Sequence, residues 1–182
     1  MKTSSLPHAI LGTAALALGT FGFFATADAQ TETASAVAEL HALKGGEGVS
    51  GTVTFTKTSG GVHVVADIKG LTPGAHGFHI HEKGDCSDPE GKSAGGHFNP
   101  TGMAHGGPDA MPHHAGDFGN LTADASGTAK LDIVSKDISF DGANSILDRA
   151  VIVHAKADDL KSQPAGDSGA RIACGVIKAA SK

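Results

Sequence analysis

Between Gly77 and Asn120 the chain carries His79, His81, His97, His105 and His114 in a glycine-rich setting and closes on the carboxylate of Asp117. In an extended strand the side chains at i and i+2 share a face, so His79 and His81 present two imidazoles together while Ile80 faces the opposite way. Such a pair is half of a chelate. The stretch from Gly91 to Gly107 lacks the apolar periodicity of a helix or strand. A long irregular loop needs fastening, and imidazole and carboxylate ligands on a metal ion supply it, because metal-binding free energy becomes ordering free energy. Core packing asks for no such concentration of imidazoles. The stretch therefore reads as a metal site, and as two rather than one. His8, His41, His63 and His76 read as ordinary polar residues.

The flanking sequence is that of a strand-and-turn protein. Residues 36–43 alternate weakly, and Val49 to Lys57 sets β-branched residues in period two. Thr58-Ser59-Gly60-Gly61 turns that strand into a second one over 62–68, a hairpin. Leu71-Thr72-Pro73-Gly74 turns the chain again into the His79/His81 strand. Two more strands, over 116–123 and 128–134, bracket the turn Asp124-Ala125-Ser126-Gly127. The apolar run Ala150-Val151-Ile152-Val153 ends in His154, which would emerge at the mouth of the sheet if the last strand, 170–177, pairs there. Residues 155–169 form a second long loop, rich in Lys, Asp, Gly and Pro. Evenly spaced short strands with no helical crossover imply an all-β antiparallel sandwich or barrel. The absence of Trp and Tyr and the 26 glycines in 182 residues fit that class, and the length suffices for one domain with its own core.

Residues 1–29 read as an export signal rather than part of the fold. Lys2 precedes an apolar run from about Ala9 to Phe24, followed by the small-x-small pattern Ala27-Asp28-Ala29. The mature domain is then 30–182, periplasmic or secreted, with no membrane attachment after cleavage. Its net charge of −5 is scattered, with no basic patch for nucleic acid. The two cysteines, Cys86 and Cys174, are expected to pair, because an exported chain folds in an oxidising compartment.

The ordered set His79-x-His81, Gly96-His97-Phe98-Asn99-Pro100, His105-Gly106-Gly107, His114-x-Gly116-Asp117-x-Gly119-Asn120, Val153-His154 and Gly169-Ala170-Arg171-Ile172-Ala173-Cys174-Gly175 resembles the copper-zinc superoxide dismutases. The resemblance implies a Greek-key β-sandwich or barrel with long metal-binding and electrostatic loops, and conversion of superoxide to dioxygen and hydrogen peroxide. It implies copper on His79, His81, His97 and His154, and zinc on His97, His105, His114 and Asp117, with His97 shared. All-imidazole ligation suits Cu(II), and three imidazoles with a carboxylate suit a closed zinc site. Arg171 would attract and orient the superoxide anion, and Asp158 would join a copper ligand, His79, to a zinc ligand, His105, through their outer nitrogens. Lys156 and Lys161 would add to a positive field. His113 directly precedes His114, but Gly116-Asp117 anchors the register on His114. Cys86 directly after Gly84-Asp85 resembles secreted bacterial members, while Gly-His-Phe-Asn-Pro resembles eukaryotic ones. These groups dimerise through different surfaces, so the homodimer that the resemblance allows has no assigned face.

Overall fold

The computed structural model describes residues 34–180, together with Met1. The export-signal reading of residues 1–29 lies outside the described residues, apart from Met1. Among the described residues nine strands follow in chain order: β1 (Ser35–Ala42), β2 (Ser50–Thr58), β3 (Gly61–Lys69), β4 (Gly74–His81), β5 (Asp117–Ala123), β6 (Ala129–Ser135), β7 (Ala150–His154), β8 (Arg171–Val176) and β9 (Lys178–Ala179). The weakly alternating stretch at the start is thus a full strand. Its small apolar residues Ala36 and Ala38 and the following Leu40 all point into the core.

The hydrogen-bonded order is β2-β3-β6-β5-β4-β7-β8-β1-β9, and β1 pairs back onto β2, which closes eight antiparallel strands into a barrel. The chain runs β1-β2-β3 as neighbours, then crosses past β6 and β5 to reach β4. A second crossing leads from β6 to β7, giving the Greek-key connectivity. β5 and β6 pair only at Ala123 and Ala129, beside their turn, and diverge beyond it.

Period-two alternation explains which side chains fill the barrel. Phe78 and Ile80 of β4 and Val151 and Val153 of β7 are fully buried inside it, with Val53, Phe55, Val64 and Ile68 from β2 and β3. Each such side chain contributes roughly 1.5–3 kcal/mol of transfer free energy. The outward residues of β4 and β7 are buried too. Ala150, Ile152 and Cys174 form a smaller apolar cluster with Leu43 and Ala94, and Cys86 packs against it. His79, His81 and His154 share that outer face, and the long loops 82–116 and 155–170 fold over it. The site therefore lies outside the barrel wall and beneath two loops.

Candidate metal centre

Register brings the strand histidines together. His79 pairs with Ile152 and Phe78 with Val153 across β4 and β7, so His154, one step beyond a bulge in the β7–β8 pairing, lies beside His79. The ring centroids of His79 and His154 are 4.9 Å apart. His97 arrives from the loop, whose segment 96–98 runs along the end of β4. Glu82 N–H donates to Gly96 O at 2.9 Å and Phe98 N–H to Ile80 O at 2.8 Å. Phe98 is buried in the core, which anchors the histidine before it. The His97 ring then stacks 4.0 Å from that of His79 and lies edge-on 5.0 Å from that of His81. His105 and His114 complete the cluster, their centroids 5.3 and 5.5 Å from His97.

Two groups of four donors result, each with its ligand atoms within 4.8 Å of one another: His79, His81, His97 and His154, and His97, His105, His114 and Asp117. His97 belongs to both. In each group every residue is buried.

The hydrogen bonds show what the cluster is built to hold. His81 Nδ1–H donates to Gly95 O at 3.0 Å, and His154 Nδ1–H to Gly169 O at 3.2 Å. A carbonyl only accepts, so each of these rings turns an unprotonated Nε2 inward. His79 Nε2–H donates to Asp158 Oδ2 at 2.7 Å and His105 Nε2–H to Asp158 Oδ1 at 3.0 Å, which leaves Nδ1 of each as the free lone pair. The inward atoms His79 Nδ1, His81 Nε2, His97 Nε2, His105 Nδ1, His114 Nδ1 and His154 Nε2 are all buried with no hydrogen-bond partner among the described residues. His105 Nδ1 and His114 Nδ1 approach Asp117 to 3.0 and 3.3 Å but lack hydrogen-bond geometry. Stranding six buried polar atoms would be costly in a dry network. Lone pairs converging on two points fit two cations, so the residues present suit copper and zinc in the division that the resemblance implies.

The electrostatics keep these donors available. Burial, followed by the neighbouring His97, holds the His79 and His81 imidazoles well below the usual histidine range. Burial pushes His154 down to about 4, against the Gly169 carbonyl, which favours its charged form. His114 is lowered mainly by burial as well. Burial alone would raise Asp117, but hydrogen bonds from His97 and from the His114 N–H outweigh it and bring the carboxyl to about 2. At neutral pH His79, His81, His114 and His154 offer uncharged imidazoles and Asp117 a carboxylate, the forms that bind metal.

Arg171, the first residue of β8, pairs with His154. Its guanidinium donates to the carbonyls of Gly91 and Gly95, at 2.5 and 2.6 Å. One surface hollow is lined by Arg171 with Lys44, Glu90 and Lys92, and a second, sharing Gly169 with it, by His154, Gln163, Pro164 and Asp167. Cys86 and Cys174 form a disulfide that ties the loop after β4 to β8. His113 stays outside both donor groups, bonding the His114 carbonyl through Nδ1 and facing Asp137.

Several contributors were not legible in the sequence. His76, read there as an ordinary polar residue, is buried, with its ring within hydrogen-bond distance of Thr72 O and His154 O, each at 2.8 Å. Its even parity with Phe78 and Ile80 is the signal that would have placed it inside. Gln163 clasps the His105 backbone with both ends of its amide, and Asn120 does the same to Asp158. No local pattern announces these contacts, because their partners are 38 to 58 residues away.

Comparison with known proteins agrees with this geometry. A family model described as copper/zinc superoxide dismutase (SODC) matches residues 49–177. The chain is 42% identical over 156 residues to the extracellular superoxide dismutase [Cu-Zn] of Brugia pahangi, an alignment covering 81% of this chain and 77% of that protein. A crystal structure titled as that of the clock protein EA4 superposes with a TM-score of 0.73 at 42% identity, covering 81% of this chain and 96% of that one.

Proposed function

Because the chain belongs to the copper/zinc superoxide dismutase family, and so converts superoxide to dioxygen and hydrogen peroxide with copper and zinc as cofactors, we propose the following division of labour among its residues. Copper is held by His79 Nδ1, His81 Nε2, His97 Nε2 and His154 Nε2. Zinc is held by the Nδ1 atoms of His97, His105 and His114 together with the Asp117 carboxylate. The observation that carries this assignment is the set of six partnerless buried ring nitrogens aimed into the two groups; the seventh donor, His97 Nδ1, lies 2.8 Å from Asp117 Oδ1 and would exchange its proton for zinc. When bound, copper supplies a one-electron couple that serves two superoxide ions in turn, and zinc a fixed positive charge without change of valence.

The protein's own groups do the rest. Arg171, the strand partner of His154, draws the anion toward the copper group and orients it there. Its Nη1 and Nη2 groups are anchored on Gly91 and Gly95, and its other N–H groups, which have no acceptor among the described residues, donate to the anion. His97 is the shared ring, and its Nε2, whenever its lone pair is not engaged by copper, would hold a proton drawn from solvent and pass it to the reduced product. Asp158 accepts from His79 and His105 at once, so one carboxylate sets the tautomer and orientation of a ring on each side of the centre. Lys156 and Lys161, on the same loop, add positive charge around the entrance to a chain that is negative overall.

The same reading takes residues 1–29 as an export signal and 30–182 as the mature domain, acting in the periplasm or outside the cell. The extracellular relative and the disulfide both support export.

The test of the ligand assignment is His154→Ala. This variant should lose dismutation while remaining folded and retaining zinc, because only the copper group is touched. Metal analysis run beside superoxide consumption, with and without a copper chelator, reads both results. Full activity at measured copper occupancy would show the assignment to be wrong.

A further inference from the structure

The loop between β7 and β8 turns back on itself at Gly166 and lies directly on the Asp158 carboxylate. A Cβ at position 166 would fall 1.8 Å from Asp158 Oδ1 and 2.7 Å from His105 Nε2, well inside the contact distance of any real side chain. The residue also has φ of 65°, the left-handed region that glycine enters freely. We propose that Gly166 is a positioning residue for the metal centre: its bare Cα is the lid over the Asp158 carboxylate that joins His79 to His105.

Neither partner has room to yield. Asp158 is locked through its backbone, since its N–H donates to Asn120 Oδ1 at 2.7 Å and its carbonyl accepts from Asn120 Nδ2 at 2.9 Å. Its Oδ1 also accepts from Leu160 N–H at 2.7 Å. Gly166 is tethered within its own loop, its N–H donating to Ser162 O at 2.7 Å and its carbonyl accepting from Asp159 N–H at 2.8 Å. The loop thus closes as a unit with the Gly166 backbone pressed on the carboxylate, whose side chain has 0% exposure. Exclusion of water strengthens the two charge-assisted bonds to the imidazoles. Any side chain at 166 must displace the carboxylate, which loosens its hold on His79 and His105 together, or lift the loop, which lets water in to compete for the same bonds.

The inference rests on the reading of Asp158 as the acceptor common to both metal groups. The experiment compares the copper- and zinc-loaded full chain with variants, measuring zinc retained against a competing chelator. It also follows exchange of the His79 and His105 Nε2–H protons by NMR in the chemically reduced, diamagnetic protein. Gly166→Ala and Gly166→Asn should each weaken zinc retention by about tenfold or more, the range found when the outer partner of a ligand is lost, and both imidazole protons should exchange faster. Asparagine tolerates the left-handed backbone, so it relieves strain but keeps the Cβ. Gly142→Ala, at φ 67° with nothing within 4 Å, should change neither reading.

In an Asp158→Ala background, Gly166→Ala should add less than a twofold effect, because the atom it strikes is gone. If the alanine variant does not fold, the asparagine variant and the double variant carry the same comparison. Wild-type behaviour of Gly166→Asn, or a full further loss in the Asp158→Ala background, overturns the proposal. Wild-type zinc retention by Asp158→Ala removes the reading of Asp158 itself and the proposal with it. A damaged Asp158→Ala beside a silent Gly166→Ala sinks the proposal alone.

Discussion

Opening the Cys86–Cys174 disulfide should destabilise the protein by an amount set by the loop it closes. The two cysteines are 88 residues apart, and the span between them includes His97, His105, His114 and Asp117. For a loop of that length the chain-entropy relation gives about 4.6 kcal/mol at 25 °C. Cys86→Ala is the gentler perturbation, since Cys174 is fully buried in a small apolar cluster and its thiol can remain there as an apolar group. Urea unfolding of the metal-free protein isolates the effect from ligand linkage. With a slope of about 2 kcal/mol/M, the midpoint should fall by about 2 M. The same change loosens the loop whose Gly91 and Gly95 carbonyls hold Arg171, so the metal-loaded variant should also lose part of its rate. A loss of stability under about 1 kcal/mol would refute the loop-closure reasoning. It would mean that the unfolded chain is already compact across this span, or that the native bridge is strained by as much as it saves.

Arg171→Ala should slow dismutation by about tenfold, the low end of what charge focusing supplies, and flatten its dependence on ionic strength while both metals remain bound. An unchanged rate and salt slope under stopped-flow conditions would exclude steering by this residue. The metal-free protein should weaken as pH falls from about 6.5 towards 4. His79, His81 and His154 have folded values below that of a free histidine, so the unfolded chain takes up protons that the native cluster refuses. Their contribution is complete above pH 6.5 and is lost on acidification. His154 alone, at about 4 against 6.5, accounts for on the order of 3 kcal/mol. Equal urea midpoints at pH 7.5 and 4.5 would count against a neutral buried cluster.

Much of this molecule was legible in one dimension because its two main devices are periodic or compositional. Period two places Phe78 and Ile80 in the barrel and His79 and His81 outside it, and the turns Thr58–Gly61 and Asp124–Gly127 mark hairpins by residue type alone. The imidazole donors stand out because nothing in core packing requires them, and two cysteines allow a single internal pairing. Strand order, the crossing past β5 and β6, and the covering of the outer face by loops depend on contacts between distant residues. No local pattern encodes such contacts.

The sequence by itself determined the ligand chemistry: which side chains could donate to a metal, which strand faces they occupied, and that long glycine-rich loops would have to be fastened. Only the tertiary structure decided which nitrogen of His79, His81, His105 and His154 faces inward. That choice is made by Gly95, Gly169 and Asp158, acceptors 14, 15 and up to 79 residues from the rings they hold. It also decided that Gly166 must lack a side chain. An imidazole is symmetrical enough to bind through either nitrogen, and a glycine is free to sit anywhere. The chain acquires a preference in each case only when folding brings a partner within about 3 Å.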